Sequence, residues 1–412
     1  MSNNVTAPPA GCDSRSTRRS LEISTSSHKV HGLDGALVAP DWAALTLSEV
    51  NELLDGYDCV GSATQLLSTS PRPFSAASRV ATGSGELFVK RHARSVRTQA
   101  TLEEEHRFLI HLAKRTSLVR APYAARDGHT AIMIGNWTYE LHPCADGLDR
   151  YEDALSWTPY FSVEHAQAAG SALAELHKAA KNFNGPSRKQ APLLSGFSLI
   201  ASLDPVATFR QFLAARPPLE AWLGGKKSAP AFERMFLPWH RRLQPCREAL
   251  APLWTHNDWH GSNLIWSDDD ATAQATAVID FGLADKTCAV HDLATAIERS
   301  AIEWLRLDAR ENIPVHLDQV VALLQGYQER LRLTSIQRHA LAAMLPIVHC
   351  EFALSEADYF LTVLEDEERA EIAWEGYFLG HLRWFDSPEG RAVLHFLESW
   401  AADEPAPRKE IP

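Results

Sequence analysis

Cysteine is scarce and scattered. The six residues Cys12, Cys59, Cys144, Cys246, Cys288 and Cys350 contain no C-x-x-C pair. In a chain of 412 residues that excludes a disulfide framework and a zinc ribbon. Long apolar runs are also missing, and none approaches the roughly 20 residues that a membrane-spanning helix needs. Nor is there an excess of basic charge. Lys and Arg number 40 against 52 Asp and Glu, a net charge of −12, which argues against nucleic-acid and membrane partners. The opening residues lack the basic start and apolar core of a secretory leader, so a reducing, cytoplasmic setting is the expectation. The Ser/Arg-rich stretch at 14–20 is flanked by Asp13 and Glu22 and reads as a tail, not a transit peptide. Two phosphate-loop signatures fail as well. Gly83-Ser84-Gly85-Glu86 lacks the third glycine of a dinucleotide loop, and Gly225-Lys226 has neither the first glycine nor the Ser/Thr of a P-loop.

What is present is ordinary globular material, 45% hydrophobic and 22% charged, enough for a large core. Residues 1–44 carry no sustained period and read as a disordered extension. Thr46 and Glu49 then form a capping box, with Val50, Leu53 and Leu54 on one helical face. Residues 78–82 and 87–90 read as strand, turn and strand around Gly83-Ser84-Gly85. A helix is expected over 101–112, and a second strand pair over 131–134 and 137–141. Beyond Pro143 helical periods dominate, at 163–178, 206–214, 231–243, 318–331 and 336–364, the last breaking near Pro346. One β-rich interruption spans 254–285. The fold class is therefore α+β, a small β-rich N-lobe at 45–143 before a larger helical C-lobe at 144–405.

The interruption carries the chemistry. His256-Asn257-Asp258-Trp259-His260-Gly261-Ser262-Asn263 leaves one β-like run, and Ile279-Asp280-Phe281-Gly282 closes another. Two carboxylates and an amide carbonyl are hard oxygen ligands plus a candidate base, a set that suits Mg²⁺ and phosphoryl transfer. The pattern His256-x-Asp258-x-x-x-x-Asn263 followed by Ile279-Asp280-Phe281 resembles the protein-kinase-like small-molecule phosphotransferases, the superfamily of aminoglycoside phosphotransferases, choline kinase and type II homoserine kinase. His291-Asp292-Leu293-Ala294 and the stretch from Gly170 to His177 are similar to further elements of that family, so the resemblance covers about 45–385.

The resemblance implies a bilobal protein-kinase-like fold and an ATP- and Mg²⁺-dependent kinase, GTP remaining open as donor. The acceptor would be a hydroxyl of a small molecule: an amino alcohol, hydroxy amino acid, aminoglycoside or sugar. It implies Asp258 as catalytic base and Asn263 and Asp280 as metal ligands, with His256 and Asp292 organising the loop. Lys90 would meet the α/β-phosphates, paired with a helix glutamate, of which Glu105 is preferred over Glu103 and Glu104. The glycine-rich lid of protein kinases is missing, and the resemblance implies in its place a Ser-rich turn, here with Ser75 and Ser78. Leu141 and Pro143 fall where a hinge would read adenine.

Two other readings stand beside this one. A non-catalytic pseudokinase module would have lost the base, the lysine or the metal aspartate, and all three are present. A metal-dependent hydrolase would draw on His256, Asp258, His260 and His291. On the acceptor side, Glu351, Ser355 and Asp358 share a helix face near Tyr359, which reads first as core plus a solvated face and second as a set of amine contacts, with Glu356 pointing elsewhere.

Overall fold

A computed structural model of the chain describes residues 40–403 apart from 59, 71–72, 189–191, 227 and 305–312. Before them it describes the paired strands β1 (Val30–His31) and β2 (Leu37–Val38). Most of the expected extension at 1–44 lies outside the described residues, but its last part is not loose. Asp41 is buried and accepts from Arg369 Nη1 at 2.6 Å and the Tyr359 hydroxyl at 2.9 Å, while Trp42 meets Trp137 edge-on at 5.5 Å. One carboxylate and one aromatic, held by Arg369, Tyr359 and Trp137, fix a segment too short to show a period.

The N-lobe grows from local signals. In α1 (Leu47–Leu54) the capping box forms, Glu49 N–H donating to Thr46 Oγ1 at 3.2 Å and Thr46 N–H to Glu49 Oε2 at 3.3 Å. Strands β3 (Ala63–Leu66), β4 (Ala76–Thr82), β5 (Gly85–Ala93), β6 (Ala131–Ile134) and β7 (Trp137–Pro143) make one five-stranded antiparallel sheet in the order β3-β4-β5-β7-β6. Along β5, Leu87 and Val89 point to a core shared with α1, which turns Lys90 and His92 to the other face. Register pairs Lys90 with Glu140 of β7, so the two share that face, where α2 (Gln99–Ala113) packs.

The C-lobe is a second, larger core. Its helices are α3 (Val163–Ala180), α4 (Ser198–Ala201), α5 (Pro205–Ala214), α6 (Pro217–Gly225), α7 (Ser228–Leu243), α8 (Ala289–Ala301), α9 (Leu317–Arg330), α10 (Ser335–Met344), α11 (Cys350–Thr362), α12 (Glu367–Glu371), α13 (His381–Phe385) and α14 (Pro388–Ala402). A π-helical segment, Ile372–Gly380, joins α12 to α13. The expected long helix over 336–364 breaks into α10 and α11 on either side of Pro346, whose missing N–H cannot continue the ladder. Helices α3 and α9 approach until a Cβ on Gly170 would lie 1.9 Å from the Leu323 carbonyl oxygen, and one on Gly326 1.9 Å from that of Gln167. Between α7 and α8 run two antiparallel pairs, β8 (Pro252–Thr255) with β11 (Asp285–Cys288) and β9 (Leu264–Trp266) with β10 (Ala275–Val278). Among the described residues no helix is long and apolar enough to cross a membrane.

Candidate active site

The two β pairs present their connecting loops at the cleft between the sheet and the helices. The loop after β8 turns at Asn257, which takes φ of +62°, and the segment after β10 turns at Asp280, φ +55°. Left-handed backbone at non-glycine residues is strained and persists where the surroundings enforce it. Here the enforcement is visible. Asp292, fully buried near the start of α8, accepts the His256 N–H at 2.9 Å and the Asn257 N–H at 2.7 Å. Its second support is His177 of α3, whose Nε2 is 3.0 Å away and whose Nδ1 accepts from the Tyr327 hydroxyl at 2.8 Å. His256 ties the two loops together, Nε2 donating to the Ile279 carbonyl at 2.9 Å and Nδ1 accepting the Asp258 N–H at 3.2 Å. Burial pushes its pKa down, which favours the neutral ring that this pattern requires.

Asn263 holds the far end of the loop. Its Nδ2 donates to the Asp258 carbonyl at 2.8 Å and lies 3.2 Å from His260 Nε2, which leaves Oδ1 as the atom available to a cation. Lys90 reaches across from the sheet and donates to Asp280 Oδ1 at 2.9 Å. Burial works against charge on Lys90, but the carboxylates of Asp280, Glu140 and Glu105 outweigh it and raise its pKa. Asp280 opens onto the cleft, and Lys90 brings its carboxyl down to about 2. Asp280 thus already holds one cation where a metal is expected, and it offers a second oxygen in the same cleft as Asn263. The hard-oxygen donor set fits Mg²⁺.

The expected Lys90–Glu105 ion pair is not formed. Glu105 instead meets buried Arg188 at 3.3 Å, and Arg188 also donates to the Gly282 carbonyl at 2.9 Å. A guanidinium has donors for both, so it takes the helix carboxylate and leaves Lys90 to Asp280. Ser78 is not among the residues lining the cleft: it is buried in β4 and its hydroxyl donates to the Ser68 carbonyl at 2.6 Å. Ser75, just before that strand, does line the cleft with Phe74. Leu141 is fully buried and its carbonyl accepts from Tyr123 N–H at 2.8 Å, while Pro143 has no N–H to offer, so the adenine-reading role expected of that pair has little to rest on. His291 is buried against Asn257 Oδ1 at 3.1 Å, away from the cleft.

Three buried arginines escaped the sequence reading. Arg188 is one, and Arg97 is the second, donating to the carbonyls of Pro192 at 2.7 Å and Leu193 at 2.6 Å on the cleft wall. Arg299 of α8 forms an ion pair with Asp258 and lies 5.1 Å from the Trp157 ring centre and 5.2 Å from that of Phe352. Burial lowers the pKa of Arg299 to about 9 and raises that of neighbouring Glu356 to about 8. The cleft runs from Lys90 and Asp280 past Asp258 to Arg299 and Glu356. The structural reading of Glu351, Ser355 and Asp358 holds, and the helix turns a different carboxylate to the cleft. Glu351 caps α4 through the N–H groups of Ser198, Leu199 and Ile200, Ser355 accepts from Leu194 N–H, and Asp358 pairs with Arg216, whereas Glu356 faces the cleft. No spacing rule marks these arginines. Arg97 and Arg188 lie in loops, and Arg299 sits on a helix without a solvated face.

A model of a phosphotransferase enzyme family matches residues 73–333. No curated protein matches the chain in sequence. Among solved structures it is similar to a microcompartment-associated aminopropanol kinase, at 16% identity over 86% of this chain and 98% of that one, TM-score 0.53. It is also similar to an amicoumacin kinase in complex with AMP-PNP and Ca²⁺ (11% identity, 85% and 91% covered, TM-score 0.51). A third is the Plasmodium vivax ethanolamine kinase (12% identity, 79% and 83% covered, TM-score 0.51). At these identities the likeness is one of fold, a small antiparallel sheet over a helical lobe.

Proposed function

The chain belongs to the phosphotransferase enzyme family, and on that footing we propose that it transfers the γ-phosphoryl group of ATP to a hydroxyl of a small molecule. The observation that carries this reading is the meeting of Asp258 and Asn263 from one loop with Asp280 from the other, in a cleft that also holds Lys90. Asp258 is the base, taking or orienting the acceptor's hydroxyl proton, a role worth about 10²–10⁴ in rate. Lys90 exchanges Asp280 for the α/β-phosphates. Asn263 Oδ1 and the Asp280 carboxylate would hold Mg²⁺, which supplies neutralising charge to the β- and γ-phosphate oxygens. GTP is the alternative donor.

Arg299 and Glu356 stand among Trp157, Phe352 and Tyr377 at the acceptor end. That supports an acceptor with polar groups beside an apolar portion. The thiols of Cys144, Cys246, Cys288 and Cys350 are free, which fits the cytoplasm. The test is ADP release from Mg²⁺-ATP across amino alcohols, hydroxy amino acids, aminoglycosides and sugars, with Asp258→Ala as blank. Asp258→Asn retains nucleotide binding and loses turnover, whereas Asp280→Asn loses the Mg²⁺-dependent thermal stabilisation by nucleotide while remaining folded. Equal stabilisation of wild type and Asp280→Asn would remove the metal assignment.

A further inference from the structure

Behind the acceptor pocket lies a group of side chains that the phosphotransfer reading does not use. Glu298 of α8, His349 immediately before α11 and His381 at the start of α13 converge in the C-lobe core, each side chain no more than 2% exposed. Their nearest oxygen and nitrogen atoms all lie within 4.8 Å of one another. Neither carboxylate oxygen of Glu298 and none of the four ring nitrogens has a hydrogen-bond partner. Six buried polar atoms left this way are costly, at about 1–3 kcal/mol for each unsatisfied group, unless something else binds them.

The N-lobe shows what the satisfied alternative looks like. Glu140 also meets histidines, but there each contact is a hydrogen bond, with His92 at 2.8 Å, His106 at 2.9 Å and His142 at 2.8 Å. That cluster is closed by protons. In the Glu298 cluster the spacings are different: Oε1 is 3.2 Å from His381 Nδ1 and 3.6 Å from His349 Nδ1, and neither contact has hydrogen-bond geometry. Two donors bonded to one tetrahedral ion at about 2.0–2.1 Å lie about 3.3 Å apart. The measured separations bracket that value.

We propose that Glu298, His349 and His381 form a transition-metal site, with Zn²⁺ the ion that its two imidazoles and one carboxylate suit. Glu298 Oε2 or a water completes the coordination. The surroundings are those of a held ligand set. Trp304 stacks on the His381 ring at 3.7 Å and donates through Nε1 to the Glu298 carbonyl at 2.9 Å, and the Trp157 and Tyr377 rings pack on His349 at 5.4 and 5.6 Å. Arg299, whose Nε is 3.9 Å from Glu298 Oε2, turns its guanidinium toward Asp258 and so leaves the glutamate charge for the ion. The ion would clamp α8, which carries Asp292 and Arg299, to α11 and α13. It is separate in ligand chemistry from the all-oxygen pair Asn263 and Asp280.

The test uses the full-length protein. Elemental analysis after gel filtration is expected to find about one equivalent of transition metal per chain, retained in Asp280→Asn and reduced at least tenfold in folded Glu298→Gln or His349→Gln. Stripped protein given Co²⁺ is expected to show the intense visible bands of a four-coordinate site, not the weak ones of six oxygens. Metal retained in the folded Glu298→Gln variant overturns the proposal. So does a metal-free wild type that gains no four-coordinate Co²⁺ band and no rise in melting temperature with Zn²⁺. Should the variants fail to fold, the Co²⁺ spectrum of the wild type decides.

Discussion

Replacing Glu356 by glutamine is expected to reverse part of the protein's pH dependence. Glu356 is 2% exposed on α11, and burial raises its carboxyl from 4.5 to about 8 against the pull of Arg299, with Glu298 adding to the rise. In the unfolded chain the group titrates near its usual value. Between about pH 5 and 8, then, the native state keeps a proton that the unfolded state has released. Stability falls with rising pH wherever the unfolded state binds fewer protons, here by up to about 1.4 kcal/mol per unit. A shift of this size is worth about 5 kcal/mol in full, and on the order of 3 kcal/mol is a realistic fraction for a group with a cation beside it. Glutamine keeps the shape and a donor but holds no titrating proton. Glu351, raised to about 7 chiefly by burial, slopes the same way in both proteins and cancels in the difference. Urea unfolding from pH 5.5 to 8.5 should show the two proteins converging at the acid end and the variant gaining steadily above it. Parallel curves would refute the assignment of a buried, protonated Glu356.

Asp292→Asn removes a carboxylate that accepts two backbone N–H groups of the catalytic loop and one histidine. It should cost about 2–4 kcal/mol in urea unfolding and lower turnover at least tenfold. Gly326→Ala drives a methyl to 1.9 Å from the Gln167 carbonyl oxygen. It should cost about 2–3 kcal/mol by forcing α3 and α9 apart, read as a lower melting temperature with nucleotide affinity unchanged. Tyr327→Phe strips the hydroxyl from His177 Nδ1, 2.8 Å away, and should cost about 1 kcal/mol, measured the same way.

What the sequence made legible was local or strongly spaced. The capping box of α1 needs two residues three apart, and the β4–β5 hairpin announces itself by Gly83-Ser84-Gly85 between alternating runs. The helix α3 shows a clear period because part of it is solvated. The trio Asp258, Asn263 and Asp280 is legible because one loop fixes the first spacing and one strand end fixes the third residue. By contrast α8 carries no clean stripe. From Val290 to Ala301 every residue is buried, and Asp292, Glu298 and Arg299 occupy positions that a period-based reading reserves for apolar side chains. A helix with no solvent face has no amphipathic signal to find.

The same reasoning explains why spacing alone points Glu356 of α11 elsewhere. Spacing placed Glu351, Ser355 and Asp358 on a common face, but from Cys350 to Phe360 the helix is buried on every side, so no hydropathy pattern tells which side borders the cleft. Partners sort the carboxylates instead. Glu351 is consumed by three backbone N–H groups and Asp358 by Arg216. Glu356 Oε2, by contrast, is buried with no hydrogen bond at all. A fold tolerates an acid in that condition either by protonating it or by reserving it for a ligand. Both answers point into the cleft, and only the folded chain, by satisfying the neighbours first, singles that residue out.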